Sequence, residues 1–278
     1  MGANSYLQSL SSELIITRDE RGIIDQHITT LESRLNVYFN SGQIKEKFPF
    51  GSFTRKTLMP RKADGRSDAD YMVVFTPSKP SASFYGGDPS YYEPETYLTW
   101  LRSFVNYRYS TSEIYTSSPT IVLELSNFKI ELVPAKKDIF GTYSIPSSND
   151  YFTRWITTTP NQFNEKVRNK NTTEKSQIRP LIRLMKYWNA QHGYVFSSYF
   201  LEQLIVDTSY FNCNTIWEYL RRFVDNIVTI NLSNVNKQKV ERLKEACNQA
   251  YLTENISWLS GSQNGEEYIK KEFPAFKR

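Results

Sequence analysis

This 278-residue chain carries two cysteines and two histidines, and the scarcity of both narrows the chemistry open to it. Cys213 and Cys247 have no partner at metal-ligand spacing, and a disulfide framework would be sparse for so long a chain. His27 and His192 are too few and too far apart in sequence for a metal cluster or a His-based triad. No apolar run approaches the roughly 20 residues needed to cross a bilayer. No RGG, zinc-knuckle or RNP-type segment points to an RNA-binding module. The start, MGANSYLQSL, has Tyr6 where a myristoylation signal wants Ser or Thr, and no signal-peptide apolar region follows. A cytosolic chain with no membrane partner and no internal repeat is the simplest expectation. The charge balance, 34 Lys and Arg against 29 Asp and Glu, gives a net charge of +5 that suits polyanionic ligands without choosing between nucleotides and nucleic acid.

What the sequence does contain is concentrated in GSFTRKTLMPRKADGRSDADYMVVF, residues 51 to 75. A Gly51-Ser52 turn can hold a triphosphate with backbone N–H groups and a hydroxyl. In Ser67 to Phe75, Asp68, Asp70, Met72 and Val74 fall on one face of a strand, because side chains alternate with period two. Two carboxylates therefore point the same way, and magnesium takes one or two carboxylates when water and phosphate oxygens complete its octahedron. Each element alone has a plainer reading, an ordinary loop and a solvated turn before a strand; their pairing favours the metal-and-phosphate reading.

Residues 120 to 133, TIVLELSNFKIELV, read as two strands around a short Ser126-Asn127 turn. That register sets Leu125 opposite Phe128, Glu124 opposite Lys129 and Val122 opposite Glu131. A cross-strand pair would occupy Glu124 with Lys129, which leaves Glu131 as a third acid; a solvent face for both glutamates is the alternative. From Glu174 to Asn189, Ile178, Leu181, Ile182, Met185 and Trp188 recur at helical spacing, and Arg179, Arg183 and Lys186 form a basic stripe. Such a stripe is either solvated surface or a phosphate contact. Ser197-Ser198-Tyr199 precedes FLEQLIV and supplies a helix cap.

The blocks GSFTRKT, SDADYMVVF, FKIELVPA, RPLIRLMKYWN and SSYFLEQLIVD follow one another between residues 51 and 207. This series resembles the bacterial cyclic-oligonucleotide synthases called CD-NTases, relatives of cyclic GMP-AMP synthase and oligoadenylate synthase that act in CBASS anti-phage defence. The resemblance implies an α+β fold: a polymerase-β-like nucleotidyltransferase lobe with a mixed sheet, a helical oligoadenylate-synthase-like C-terminal lobe, and an active site in the cleft between them. It assigns residues 1–150 to the catalytic lobe, with an N-terminal back helix, and 151–278 to a helical nucleotide-binding lobe. Gly51 and Ser52 match the turn that binds the donor triphosphate, and Asp68 and Asp70 match the metal-binding acids. Glu131 matches the third acid, which binds the second metal and helps activate the attacking ribose hydroxyl; many relatives have Asp there. Lys186 and Ser198 match contacts to the donor phosphates, Tyr199 matches a ring that stacks on the donor base, and Ser197 keeps the capping role.

The implied cofactors are two Mg2+ ions, with Mn2+ as a substitute, and the implied substrates are NTPs, with ATP and GTP foremost. CBASS effector or regulatory proteins are the implied partners of a bacterial cytoplasmic monomer, and nothing supports activation by nucleic acid. The implied reaction is template-independent two-metal phosphoryl transfer that makes a cyclic di- or trinucleotide second messenger. A linear oligoadenylate synthase or poly(A)-type polymerase would share every residue named. A small-molecule or tRNA nucleotidyltransferase would share the acids without Lys186 and Ser198-Tyr199 together, and a non-enzymatic binding module would have lost an acid. Arg55, Lys56, Arg61, Lys62 and Arg66 are secondary phosphate candidates with solvated surface as their alternative. Residues 7 to 40 are expected to be helical, 47 to 50 a strand, 76 to 94 a long loop, 95 to 106 a helix, and 261 to 268 a linker to a basic tail.

Overall fold

A computed structural model describes residues 2–78, 90–109, 113–117, 120–125, 128–147, 154–255 and 264–277, with the backbone alone for 113–117. The first half runs α1 (Ala3–Glu13), α2 (Arg18–Tyr38), β1 (Ile44–Pro49), α3 (Gly51–Arg55), β2 (Ala69–Phe75) and α4 (Pro94–Arg108). Four strands and a hairpin partner follow as β3 (Glu113–Ser117), β4 (Thr120–Glu124), β5 (Lys129–Lys137), β6 (Tyr143–Pro146) and β7 (Trp155–Thr158). The remainder is helical: α5 (Pro160–Thr173), α6 (Ile178–Gln191), α7 (Ser198–Asp207), α8 (Ile216–Asp225), α9 (Asn234–Asn255) and α10 (Gly265–Glu272).

These elements form two compact units, neither of them one continuous segment. One gathers Thr17–Lys56 and Ser67–Asn164, and the other gathers Met1–Ile16, Thr57–Arg66 and Glu165–Arg278. This partition differs from a single division at residue 150, because β6 and β7 prolong the strand-bearing unit while α1 packs with α6, α8 and α10.

In the strand-bearing unit the sheet runs β1-β2-β5-β4-β3, with β6 pairing β5 and β7 pairing β6. The β2–β5 pair is parallel and the other pairs are antiparallel, so the sheet is mixed. Tyr71 through Phe75 are fully buried, and each large apolar side chain removed from water contributes about 1.5–3 kcal/mol, which anchors β2 between β1 and β5. Met72 and Val74 pack with Ala135 of β5 against Phe48, Phe50, Tyr143 and Ile145. On the alternate positions, the Phe75 ring meets Phe39, Tyr97 and Trp100, and the Tyr71 hydroxyl donates to Glu32 of α2. The expected hairpin register is present: Glu124 pairs Lys129 and Val122 pairs Glu131, with Leu125 N–H donating to the Phe128 carbonyl. Ser126 and Asn127, the expected turn, and most of the expected 76–94 loop lie outside the described residues.

Three expectations need correction. The helical stretch 7–40 is two helices rather than one. The first ends at Glu13 with Leu14 as its C-cap, and Thr17 caps the second: its Oγ1 accepts from Glu20 N–H at 3.0 Å, and its own N–H donates to Glu20 Oε2 at 2.6 Å. The helix expected from Glu174 begins at Ile178, after α5 has already ended at Thr173. The expected linker at 261–268 contains the start of α10, whose Ile269, together with Phe273 just beyond it, is fully buried, and the helix packs on α9 and α1.

Candidate active site

The strand-bearing unit carries the acids and the glycine turn side by side. Pro49 of β1 pairs Tyr71 of β2, so the chain leaving β1 passes beside Asp70, and Phe50 N–H donates to the Asp70 carbonyl at 2.9 Å. Gly51 then takes φ +69°, a region L side chains rarely adopt. A Cβ on Gly51 would lie 2.7 Å from Asp70 Cγ, inside the carboxylate's own volume. Both constraints select glycine. α3 follows, with Ser52 buried, and it is held from two sides: the Arg21 guanidinium lies 4.5 Å over the Phe53 ring, and Asn164 donates to Thr54 Oγ1 at 3.1 Å. Arg55 is buried as well, 5.1 Å over the Phe163 ring and 3.4 Å from Asn164 Oδ1, so it is packed rather than solvated. Lys56 closes the short helix in the left-handed conformation.

Parallel pairing of β2 and β5 puts Asp70 beside Glu131. Burial drives the Glu131 carboxyl up to about 8, and the charges of Asp68 and Asp70 and a hydrogen bond with Asp68 push it the same way. Thr120 Oγ1 donates to Glu131 Oε2 at 3.1 Å and works against that rise. Glu124 is taken up by Lys129 at 3.6 Å, as expected. The structure thus brings Asp68, Asp70 and Glu131 together and sets Gly51 against Asp70.

This donor set fits a magnesium ion. Among the described residues no group of three or more His, Cys, Asp or Glu side chains stands ready to hold a metal unaided. Magnesium shared with a triphosphate needs only one or two carboxylates, and a dication offsets both the burial and the neighbouring charges that raise Glu131.

The helical unit places the remaining expected residues. α6 is buried over most of its length, and the basic stripe is not solvated: Arg183 is 6% and Lys186 5% exposed. The Arg183 Nε donates to the Ser11 carbonyl of α1 at 3.4 Å, and burial lowers its guanidinium to about 10. The Lys186 ammonium lies 3.7 Å from Glu202 Oε1 and donates to the Thr57 carbonyl at 3.3 Å. Asn189, buried, grips the loop before α7 with both ends of its amide, donating to the Phe196 carbonyl and accepting from its N–H. Ser197 is the N-cap of α7, its hydroxyl accepting from Phe200 N–H, while Ser198 and Tyr199 in the first turn are exposed.

Sequence reasoning missed four residues around these sites. Thr120 steadies Glu131. Asp64, buried, accepts from the Tyr194 hydroxyl at 2.8 Å and from Arg66 N–H at 2.9 Å, while the Arg66 guanidinium lies 3.7 Å over the Tyr194 ring. Glu202 is buried in α7, and its signal was a lone charge inside the apolar run FLEQLIV.

Comparison with known proteins finds relatives in sequence and in fold. The model of the Second Messenger Oligonucleotide or Dinucleotide Synthetase domain, SMODS, matches residues 1–171. A probable cyclic nucleotide synthase of Bacillus cereus strain VD146 is 28% identical over 206 residues, which cover 64% of this chain and 59% of that protein. The match thus spans less than two thirds of that relative. The structure of E. coli MS115-1 CdnC with ATP superposes with a TM-score of 0.71 at 12% identity, covering 99% of each chain. Vibrio cholerae DncV, a cyclic AMP-GMP synthase, gives 0.72 at 10% identity over 97% of this chain and 94% of that one. The fold is therefore the α+β nucleotidyltransferase fold with added helices that these proteins share. Within that class, the chain belongs to the SMODS family. No helix among the described residues is long and apolar enough to cross a membrane.

Proposed function

We propose that this protein is a template-independent nucleotidyltransferase. It condenses nucleoside triphosphates, ATP and GTP foremost, into a cyclic di- or trinucleotide second messenger of CBASS anti-phage signalling. The observation that carries the reading is the meeting of Gly51 with Asp70 beside Asp68 and Glu131: a side-chain-free turn abuts a cluster of acids whose mutual repulsion calls for bound cations.

The strand-bearing unit is the catalytic lobe in this reading. Backbone N–H groups of the Gly51 turn and the Ser52 hydroxyl hold the donor triphosphate. Asp68, Asp70 and Glu131 hold two magnesium ions, or manganese, which when bound neutralise the phosphates and acidify the attacking ribose hydroxyl. Thr120 orients Glu131 toward that hydroxyl. The helical unit contributes nucleotide contacts: Lys186 and Ser198 to phosphate, and the exposed Tyr199 ring as a stacking platform for the donor base. Little covalent chemistry is asked of the protein, whose part is positioning and charge compensation. Glu131 is one methylene longer than an aspartate, and hydrogen bonds with Thr120 and Asp68 hold that longer side chain.

The test is product analysis. Purified protein is incubated with magnesium and NTPs singly and in pairs, treated with phosphatase and examined by chromatography and mass spectrometry. A compact phosphatase-resistant product is expected, and a ladder of linear oligomers would replace this reading with that of a linear polymerase.

A further inference from the structure

Glu202 is a buried charge to which the proposed reaction gives no role. It is 1% exposed and is the fifth residue of α7, SYFLEQLIVD. Thr57, fully buried, donates its hydroxyl to Glu202 Oε1 at 2.9 Å, and its carbonyl accepts from the Lys186 ammonium at 3.3 Å. Lys186 in turn faces Glu202 Oε1 at 3.7 Å. Three residues from three segments close a ring in which Thr57 contributes both its side chain and its backbone.

A buried ion pair is weak evidence for a stabilising role, because desolvation offsets the attraction and apolar residues of the same volume serve packing as well. The ring does something packing cannot. A lysine has four rotatable bonds and loses much entropy when fixed; here the ammonium is set in one position before any ligand arrives. An ammonium has three N–H donors, and among the described residues Thr57 and Glu202 are the partners of this one, so at least one donor is left for a further acceptor. The ring also fixes Thr57, the first residue of the 57–66 segment that joins α3 to the strand bearing Asp70.

We propose that Glu202 is a positioning residue for nucleotidyl transfer: it sets the Lys186 ammonium and the start of the 57–66 segment so that Lys186 meets the donor phosphates already oriented. The inference rests on the functional reading above and extends it to a residue that touches neither substrate nor metal.

The experiment measures binding of the α,β-methylene analogue of ATP with magnesium by calorimetry, on wild type and on E202Q, T57V, T57S, K186M and K186M/E202Q. Folding of each is checked by circular dichroism and thermal denaturation. T57V leaves the ion pair intact and K186M/E202Q removes both of its charges, so these decide the matter even where E202Q fails to fold. Loss of a charge-assisted contact predicts about tenfold weaker binding by E202Q and about threefold by T57V, with T57S close to wild type. Because Glu202 acts through Lys186, K186M and K186M/E202Q should bind alike. Folded E202Q or T57V that binds as well as wild type overturns the positioning role alone, as does a further tenfold loss from E202Q in the K186M background. Folded wild type that does not bind the analogue at all overturns the functional reading and leaves Glu202 nothing to position.

Discussion

Glu131→Gln should make the nucleotide-free protein more stable while destroying its activity. The Glu131 carboxyl is raised from 4.5 to about 8, by burial first and then by Asp68 and Asp70. A carboxylate whose native pKa lies above its unfolded value contributes stability that is fully present below about 4.5 and lost as pH rises through 8. By pH 8.5, where most of the native carboxyl is ionised, linkage would therefore cost the native state roughly 4–5 kcal/mol, and partial exposure reduces that to about 2 kcal/mol. Gln keeps the shape and can still accept from Thr120, but it carries no charge. For a domain of this size each kcal/mol moves Tm by about 2–4 °C, so E131Q should melt about 4–8 °C above wild type at pH 8.5 and within about 2 °C of it at pH 5. Magnesium with a non-hydrolysable NTP should raise the wild-type Tm and raise that of E131Q by less, because Asp68 and Asp70 still offer two carboxylates. Differential scanning fluorimetry across pH 5 to 8.5 reads all of this. An E131Q protein no more stable than wild type at pH 8.5 would refute the crowded-acid reasoning.

Gly51→Ala should destabilise the protein by about 2 kcal/mol, from the left-handed backbone and the collision with Asp70, and should cut turnover at least about tenfold; denaturant unfolding and initial rates check both. Tyr199→Ala, at an exposed position, should change stability by less than about 0.5 kcal/mol. Its NTP binding should weaken by about 1–3 kcal/mol for loss of a stacked base, and an unchanged calorimetric affinity would remove the stacking role. Asn189→Ala leaves the Phe196 N–H and carbonyl buried without their partner and should cost about 2–4 kcal/mol in urea denaturation.

The strand-bearing half of the site was legible because period-two alternation and a two-residue turn fix register. Once Ser126-Asn127 was read as the turn, Glu124 had to face Lys129, and Glu131 was left as the uncompensated acid; the 3.6 Å pair and the raised Glu131 carboxyl are what that register produces. Strand pairing between distant segments carries no such local signal. Nothing in the sequence said that β2 and β5 run parallel and adjacent, and that pairing is what brings Asp70 to Glu131.

The helical half was harder. By pattern alone Arg183 and Lys186 read as either solvated surface or a phosphate contact; both are buried where specific acceptors, the Ser11 carbonyl and the Glu202–Thr57 pair, come from segments far away in sequence. Polar pattern predicts exposure only when no such partner exists. The split of the N-terminal helices was legible after all in Thr17-x-x-Glu20, a capping box hidden inside a longer helical periodicity. The C-terminal helix was obscured by Gly and Asn residues that read as linker, although Asn264 is its N-cap, accepting from Glu266 N–H.

The central claim is that Asp68, Asp70 and Glu131 together perform magnesium-dependent nucleotidyl transfer. It is tested most directly by mass-spectrometric quantification of phosphatase-resistant product from wild type and from the folded Asp68→Ala, Asp70→Ala double variant, under identical NTP and magnesium concentrations. Product from wild type and none from the double variant is the expected result; equal product from both would contradict it.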